Sequence, residues 1–277
     1  STLSEFGIET RFCDLTNTDE VENAIDGTTA ALFLEIISNP QMEVADLQQL
    51  AAIAHRKGVP VIADTTLIPI SSFRAVDWNI DIELIASTKY ISGGATSLGG
   101  LIIDYGTFDW LRSPKLSQLA KEQDKNTFTF RLKKEIHRNL GSYMTPQVAY
   151  MQSLGLETMD LRYQKASGTA AEIARRIQTI PGIQSVNYIG LPDNPFYEIS
   201  VRQFGINPGA MLTFDLKSKD ECFSWMNNLK MIRRATNLFD NKTLAIHPYT
   251  TIFGNFSAEA KTAMHIFDTT IRLSVGL

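Results

Sequence analysis

The sequence predicts an α/β protein with a parallel sheet in its first part and a smaller α+β domain in its second part. Strand-like and helix-like patterns alternate through residues 1–110, a more helical stretch follows to about residue 180, and strand-like patterns return after it. Alternating strands and helices are typical of parallel strands joined by crossover helices. We therefore expect a large domain over 1–150 and a C-terminal α+β domain over 151–277 that begins with a bridging helix.

Four apolar segments of the first part are predicted to be strands: residues 31–36 (ALFLEI), 59–64 (VPVIAD), 82–87 (IELIAS) and 98–104 (LGGLIID). A helix is predicted between the first two strands, within residues 44–58. Its apolar face consists of Leu47, Leu50, Ala51 and Ala54. Asp46 near its start and Gly58 at its end are typical cap residues.

The second part opens with apolar spacing that suits two helices within residues 146–180, joined near Gly155. A segment rich in proline and glycine follows at 181–195. Beyond it the patterns predict a strand at 210–216, a helix at 220–230 and a final strand at 270–276. This mixture predicts the smaller α+β domain.

Composition and charge narrow the function to small-molecule chemistry. The net charge is -4, and lysines and arginines are scattered along the chain, which argues against nucleic acid as a partner. No apolar run approaches the ~20 residues that span a bilayer, so we expect no membrane segment. The chain has only two cysteines and opens without the basic start and apolar core of a signal peptide, which suggests the reducing cytoplasm. Four histidines without ligand spacing predict no metal site: His55, His137, His247 and His265.

Three polar residues lie at or just beyond the carboxyl ends of predicted strands, where α/β sheets gather ligands: Asn39, Asp64 and Lys89. A lysine held there suits a Schiff base with pyridoxal phosphate, with Asp64 as the acidic partner of the pyridinium nitrogen. Ser87 and Thr88 could donate hydrogen bonds to the phosphate. On spacing alone the ordinary structural roles are favoured, namely a solvent-facing lysine and an aspartate that caps a turn.

Several sequence motifs that occur together, in the order and spacing of a known family, favour the cofactor-binding roles instead. Residues 33–70, the segment ASTKYISGGATSLGG and the segment IRLSVGL resemble the Cys/Met-metabolism (trans-sulfuration) family of pyridoxal phosphate-dependent enzymes. The family patterns are E-x-x-S-N-P, D-N-T, S-A-T-K-Y and I-R-L-S-V-G. The resemblance implies fold type I, the aspartate aminotransferase-like transferase fold. Residues 1–150 would then form the cofactor-binding large domain, with a family N-terminal segment expected before this sequence.

The resemblance also implies roles for individual residues and the cofactor pyridoxal 5′-phosphate. Lys89 resembles the Schiff-base lysine, Asp64 the pyridinium partner and Asn39 the residue that binds the ring hydroxyl. Thr88 corresponds to a phosphate-binding threonine, with Ser87 beside it. Arg272 resembles the arginine that binds the substrate α-carboxylate, a task that suits a planar bidentate donor.

Within the family, GGATSLGGLIIDYGTFDW resembles the O-acetylhomoserine sulfhydrylase branch. This implies γ-replacement by sulfide to give homocysteine, with Lys89 as the general acid and base. Partners would be an amino-acid substrate and sulfide or a thiol, in a homotetramer with shared active sites. The alternatives are methionine γ-lyase, cystathionine γ-synthase or lyase, and a truncated non-catalytic subunit.

Five positions depart from the family pattern: Thr65, Ala86, Gly94, Asn237 and Phe239. Ala86 replaces a phosphate-binding serine. Asn237 and Phe239 stand where the family has the serine and glycine of S-L-G. We place Asn237 among the substrate-binding residues and expect the Phe239 ring to narrow the substrate pocket and alter substrate preference.

Overall fold

The computed structural model describes residues 2–277 as two β-sheets surrounded by helices. The strands are β1 Leu32–Glu35, β2 Val61–Asp64, β3 Ile82–Ile85, β4 Leu101–Asp104, β5 Ser185–Asn187, β6 Met211–Asp215, β7 Arg233–Arg234, β8 Leu244–Ile246 and β9 Thr270–Ser274. The helices are α1 Thr18–Ala24, α2 Leu47–Arg56, α3 Ser117–Gln123, α4 Thr127–Arg131, α5 Arg138–Leu140, α6 Pro146–Leu156, α7 Met159–Ile177, α8 Tyr197–Phe204, α9 Lys219–Asn227 and α10 Ala258–Ala263. A π-helical segment, Leu132–His137, connects α4 to α5.

The first sheet has the order β1-β2-β3-β4, so all four predicted strands are confirmed. β1, β2 and β3 are parallel, while β4 runs antiparallel to β3. The chain between β3 and β4 is a loop, whereas α2 crosses between β1 and β2. Register places Glu35 of β1 beside Asp64 of β2, and Asp64 beside Leu84 of β3. The carboxyl ends of these three strands therefore meet at one edge.

Helix α2 forms as its sequence predicts. The Asp46 carboxylate accepts a hydrogen bond from the backbone N–H of Gln49 at 3.1 Å, which satisfies an otherwise free amide of the first turn. The helix ends before Gly58, whose φ of +76° is readily adopted only without a side chain. The predicted apolar face is buried against the sheet. These features fix the β1-α2-β2 unit and so the position of the strand ends.

The second sheet has the order β5-β6-β9-β8-β7 and places the last strand of the chain at its centre. β9 is antiparallel to both β6 and β8. The predicted strands at 210–216 and 270–276 and the helix at 220–230 are confirmed, while β5, β7, β8 and α8 were not predicted. These elements are short, and proline and glycine residues interrupt the chain near Pro195, so no apolar periodicity identified them in the sequence.

Helices α6 and α7 follow the predicted pair, and their junction falls after Leu156. Gly155 lies inside α6, because close packing against another backbone requires a glycine there. Helix α7 contributes Met159, Tyr163 and Ala166 to the core beneath the first sheet, and Ala170, Ala171 and Ala174 to the core of the second sheet. Across residues 2–277, no helix combines the length and apolarity needed to cross a membrane.

Candidate functional site

Lys89 lies in the loop after β3, four residues beyond the strand end at Ile85. Its Nζ donates a hydrogen bond to Oδ1 of Asn237 at 2.6 Å, although the two residues are far apart in sequence. Partial burial lowers the pKa of Lys89, and the positive charge of Arg272 lowers it further. No described carboxylate forms an ion pair with this amine. Lys89 is thus a lysine that releases its proton more readily than usual, as a nucleophilic amine requires.

Arg272, at the centre of β9, is only 2% exposed. Its Nη1 donates to Oδ1 of Asn39 at 3.0 Å, and its Nη2 donates to the carbonyl oxygens of Thr236 at 2.9 Å and Asn237 at 3.2 Å. These acceptors are all neutral, and burial lowers the pKa of Arg272 to about 10. The buried Nε has no hydrogen-bond partner within the described chain. A buried cation without an anionic partner is costly, which points to an anionic ligand at this position.

Asp64 ends β2 at the same sheet edge. One carboxylate oxygen accepts the backbone N–H of Thr66 at 2.9 Å, and no described lysine or arginine is paired with it. Glu35, its neighbour across the strand pair, was not predicted as a site residue. Although the Glu35 side chain reaches the surface, desolvation by the surrounding atoms raises the pKa of its carboxyl, and the charge of Asp64 adds to this. The strand alternation in LFLE could have identified Glu35, because it places this residue at the strand end.

The two hydroxyls expected to bind phosphate are both directed at neighbouring protein atoms. Thr88 Oγ1 accepts the N–H of Gly99 at 3.1 Å and donates to the Gly99 carbonyl at 3.3 Å. Ser87 is fully buried, and its Oγ has no hydrogen-bond partner in the described chain. A Cβ on Gly99 would lie 2.7 Å from both Ser87 Oγ and Gln152 Nε2, so Ser87 is directed towards α6. The phosphate-binding roles of Ser87 and Thr88 remain predictions.

The loop that carries Lys89 is fixed by contacts that the sequence did not reveal. The Arg162 guanidinium of α7 donates to the Tyr90 carbonyl at 2.8 Å and to the Gly155 carbonyl at 2.6 Å. A Cβ on Gly155 would lie 2.1 Å from the Ile91 carbonyl oxygen, so only glycine permits this approach of α6 to the loop. Helices α6 and α7 therefore hold the backbone immediately after Lys89.

Phe239 differs from the expectation that its ring narrows a substrate pocket. The residue is 3% exposed and belongs to the core beneath the first sheet. Its ring stacks on Tyr90 with centroids 4.4 Å apart and an interplanar angle of 15°. The ring thus packs inside the protein beside the residue that follows Lys89. Its neighbour Asn237 contacts Lys89 directly, which brings together two residues that the sequence analysis singled out separately.

The charged side chains of the site can be compared with the chemical groups of pyridoxal phosphate and an amino acid. Among residues 2–277, Lys89 and Arg272 have no anionic partner and Asp64 has no cationic partner. An aldehyde needs an amine that loses its proton readily, a pyridinium nitrogen needs a carboxylate, and an amino acid needs a carboxylate-binding cation. The residues present fit the aldehyde, the ring nitrogen and the substrate carboxylate. Of the two hydroxyls expected to bind the phosphate, only that of Ser87 has no hydrogen-bond partner in the described chain.

A cleft of about 410 Å³ lies elsewhere, between the turn at Pro40 and the strands β5, β6 and β9, and Glu43 and His265 are among its lining residues. None of the predicted site residues lines it. Among residues 2–277, no group of three or more histidines, cysteines, aspartates or glutamates is arranged to hold a metal ion.

Comparison with known proteins connects this geometry to a family. The family model described as Cys/Met metabolism PLP-dependent enzyme matches residues 1–277. The sulfhydrylase-like protein lolC2 of Epichloe uncinata is 33% identical over 287 residues, which cover 100% of this chain and 61% of that protein. The chain thus spans about three fifths of the length of this relative.

Two solved structures are similar over the whole chain. The O-acetylhomoserine sulfhydrylase of Wolinella succinogenes is 44% identical with a TM-score of 0.87, covering 99% of this chain and 75% of that one. A putative O-acetylhomoserine (thiol)-lyase of Campylobacter jejuni is 30% identical with a TM-score of 0.90, covering 100% of this chain and 69% of that one, and contains N′-pyridoxyl-lysine-5′-monophosphate. The mixed α/β sheets agree with fold type I. The chain described here belongs to the Cys/Met metabolism family of pyridoxal phosphate-dependent enzymes.

Proposed function

We propose that the chain carries the catalytic lysine of an O-acetylhomoserine sulfhydrylase, which makes homocysteine by γ-replacement with sulfide. One observation carries this proposal: Lys89 and Arg272, two cations without anionic partners, both contact Asn237. An amino acid presents its amino group and its α-carboxylate one carbon apart, so it needs an amine-reactive group and a carboxylate-binding group side by side. The similarity to sulfhydrylases supports the choice of reaction within the family.

The cofactor, when bound, supplies an aldehyde and an electron-accepting ring. Lys89 would hold the aldehyde, Asp64 the ring nitrogen and Asn39 the ring hydroxyl. Ser87, whose Oγ has no hydrogen-bond partner in the described chain, would contact the phosphate, and Thr88 would do so after its hydroxyl turns from Gly99. The Asp64 carboxylate would lie next to the ring nitrogen, where a negative charge favours the protonated ring.

The remaining chemistry is proton transfer and orientation by this chain's own residues. Arg272 would bind the substrate α-carboxylate through the unpartnered Nε and the Nη1 N–H that Asn39 does not occupy, and so fix the α carbon near Lys89. Lys89, whose pKa is lowered, would remove the proton from the α carbon and return it later. Acetate leaves from the γ carbon and sulfide forms the new C–S bond there, with homocysteine and acetate as the products. Asn237 would keep the Lys89 amine directed at the substrate.

A second candidate function is a non-catalytic subunit that binds the cofactor weakly. One observation favours it: Ala86 has no hydroxyl, and the Thr88 hydroxyl is already bonded to Gly99 in both directions. Borohydride reduction of the cofactor-treated protein separates the two candidates.

The test uses the purified full-length protein incubated with pyridoxal 5′-phosphate. Visible absorption is recorded before and after borohydride reduction, and the reduced protein is digested and mapped by mass spectrometry. We expect a reducible chromophore and a pyridoxyl adduct on Lys89, with none on a Lys89→Ala variant. Homocysteine should form from O-acetylhomoserine and sulfide faster than thiol is released from methionine. Absence of the adduct would favour the non-catalytic subunit, and rapid thiol release would favour methionine γ-lyase.

We also infer the domain arrangement, the oligomeric state and the cellular location of the protein. The first sheet and its helices would be the large domain, with the second sheet as a smaller C-terminal domain that begins near residue 150. A homotetramer with shared sites is supported by exposed apolar side chains on one segment: Leu140, Tyr143, Tyr150 and Leu154. Two free cysteines support a cytoplasmic location. Light scattering of the full-length protein tests the oligomer.

A further inference from the structure

Phe239 occupies a backbone conformation that is unfavourable for a large side chain. Its φ is +57°, in the left-handed region where bulky residues are outliers. The residue is nevertheless 3% exposed, and its N–H donates to Oγ of Ser274 at 2.7 Å. Such a conformation persists only where surrounding contacts outweigh its cost, and it concentrates at functional sites. The contacts of Phe239 therefore indicate what the conformation serves.

The principal contact is the stack on Tyr90, the residue directly after Lys89. Tyr90 is 4% exposed and also meets Tyr163 edge to face, with ring centroids 5.4 Å apart. The carbonyl of Tyr90 is held by Arg162. The Tyr90 ring is thus enclosed on two sides, by Phe239 from the 236–239 segment and by Tyr163 from α7.

The same short segment also contacts Lys89 itself. Asn237, two residues before Phe239, accepts the hydrogen bond from Lys89 Nζ. The backbone carbonyls of Thr236 and Asn237 are held by Arg272. The segment therefore contacts the Lys89 amine through the Asn237 side chain, and it contacts the next residue, Tyr90, through the Phe239 ring. The second of these contacts is apolar.

We propose that Phe239 is a positioning residue for Lys89: its stack on Tyr90 fixes the 236–239 segment so that the Asn237 amide oxygen stays on the lysine amine. This proposal rests on the proposed function, in which Lys89 is the proton-transferring group. It assigns to Phe239 a role through packing and not through contact with substrate.

The consequence for Lys89 is a balance between opposing influences. The Asn237 oxygen accepts a hydrogen bond and so favours the ammonium form. Burial and the charge of Arg272 favour the neutral amine. Asp64 at the end of β2 and Glu35 at the end of β1 are the acidic groups at this sheet edge. Loosening the segment removes the Asn237 contribution, so the pKa of Lys89 should fall further.

The test measures this pKa without substrate or turnover. The full-length protein is freed of cofactor, exposed briefly to acetic anhydride across a pH series, and acetylation of Lys89 is quantified by peptide mapping. Asn237→Leu, which keeps the branching at Cγ but not the acceptor, should lower the Lys89 midpoint by roughly one to two pH units. Phe239→Leu should lower it in the same direction. The double variant should fall no further than Asn237→Leu alone, because Phe239 acts through Asn237.

Three further variants separate the proposed effect from a general loss of stability. Tyr90→Leu removes the stack from the other side and should reproduce the shift, whereas Tyr90→Phe keeps the stack and should restore the wild-type midpoint. Phe73→Leu disrupts another buried aromatic pair, with Phe204 at 5.4 Å, and should leave Lys89 unchanged.

Either of two results would overturn the proposal. The first is a wild-type Lys89 midpoint in both Phe239→Leu and Tyr90→Leu while Asn237→Leu shifts it. The second is full additivity of the Phe239 and Asn237 shifts. Failure of the sulfhydrylase reaction would show instead as absent homocysteine with the acetylation shifts intact, so the two failures are distinguishable.

Discussion

Replacing Arg272 with glutamine should remove the preference of the site for ligands that carry an α-carboxylate. The guanidinium already binds three neutral oxygens and keeps a buried Nε without a partner, so it has donor capacity for a carboxylate. Hydrogen bonds to charged groups contribute about 1.5–3 kcal/mol each, so two of them contribute about 3–6 kcal/mol. That range corresponds to a loss of roughly 10²–10⁴-fold in affinity.

The assay compares the inhibition constants of an amino acid and of the amine that lacks its carboxylate. The wild-type protein should bind the amino acid roughly 10²–10⁴-fold more tightly than the amine. Arg272→Gln should bind the amino acid about tenfold more tightly than the amine, or less. Arg176→Gln is the matched control, because this arginine is 76% exposed and pairs only with Glu172. Thermal unfolding is followed in parallel. A folded Arg272→Gln variant that keeps the wild-type preference would refute the assignment of Arg272 to the carboxylate.

Three other changes have defined outcomes. Asp64→Asn should weaken binding of pyridoxal 5′-phosphate by roughly 10–150-fold in a spectroscopic titration, since a charged partner of the ring nitrogen is lost; unchanged affinity would contradict that role. Gly155→Ala should lower the free energy of unfolding by about 1–3 kcal/mol or more because its Cβ would meet the Ile91 carbonyl, whereas Gly168→Ala, with open space in α7, should raise it by up to about 1 kcal/mol in urea titrations. Burial lowers the pKa of His247, whose ring nitrogens bond Thr250 and Asp268, so the unfolded chain binds the proton more readily. The stability that His247 contributes is therefore complete above its unfolded pKa of about 6.5 and is lost as the pH falls towards the folded value; equal pH dependence in a His247→Gln variant would exclude this cause.

The strands of the first sheet and helix α2 were predictable because their signals are local. Apolar runs of strand length, an aspartate at the helix start and a glycine at its end each act within a few residues. The same reasoning placed Asp64 and Lys89 at strand ends. Glu35 escaped notice because its significance depends on the neighbouring strand, which brings it beside Asp64 in register.

The loop after Lys89 shows the limit of local reasoning. The two helices are joined near Gly155 as predicted, but the sequence did not reveal that Gly155 itself lies inside α6, where contact with the Ile91 carbonyl excludes a side chain. Phe239 was expected to narrow a pocket, yet its ring packs on Tyr90. Each difference arises from a contact between residues distant in sequence, which no spacing pattern encodes.

By itself, the sequence determined the alternation of strands and helices and the family motifs, and it predicted Lys89, Asp64, Asn39 and Arg272 as site residues. Only the tertiary structure decided that Asn237 holds the Lys89 amine and that Arg272 is buried among neutral acceptors. The physical reason is that motifs record residue types along the chain, whereas charge balance and proton affinity depend on which groups surround a side chain. Those surroundings come from β9, α6, α7 and the 236–239 segment, which reach the site only when the chain folds.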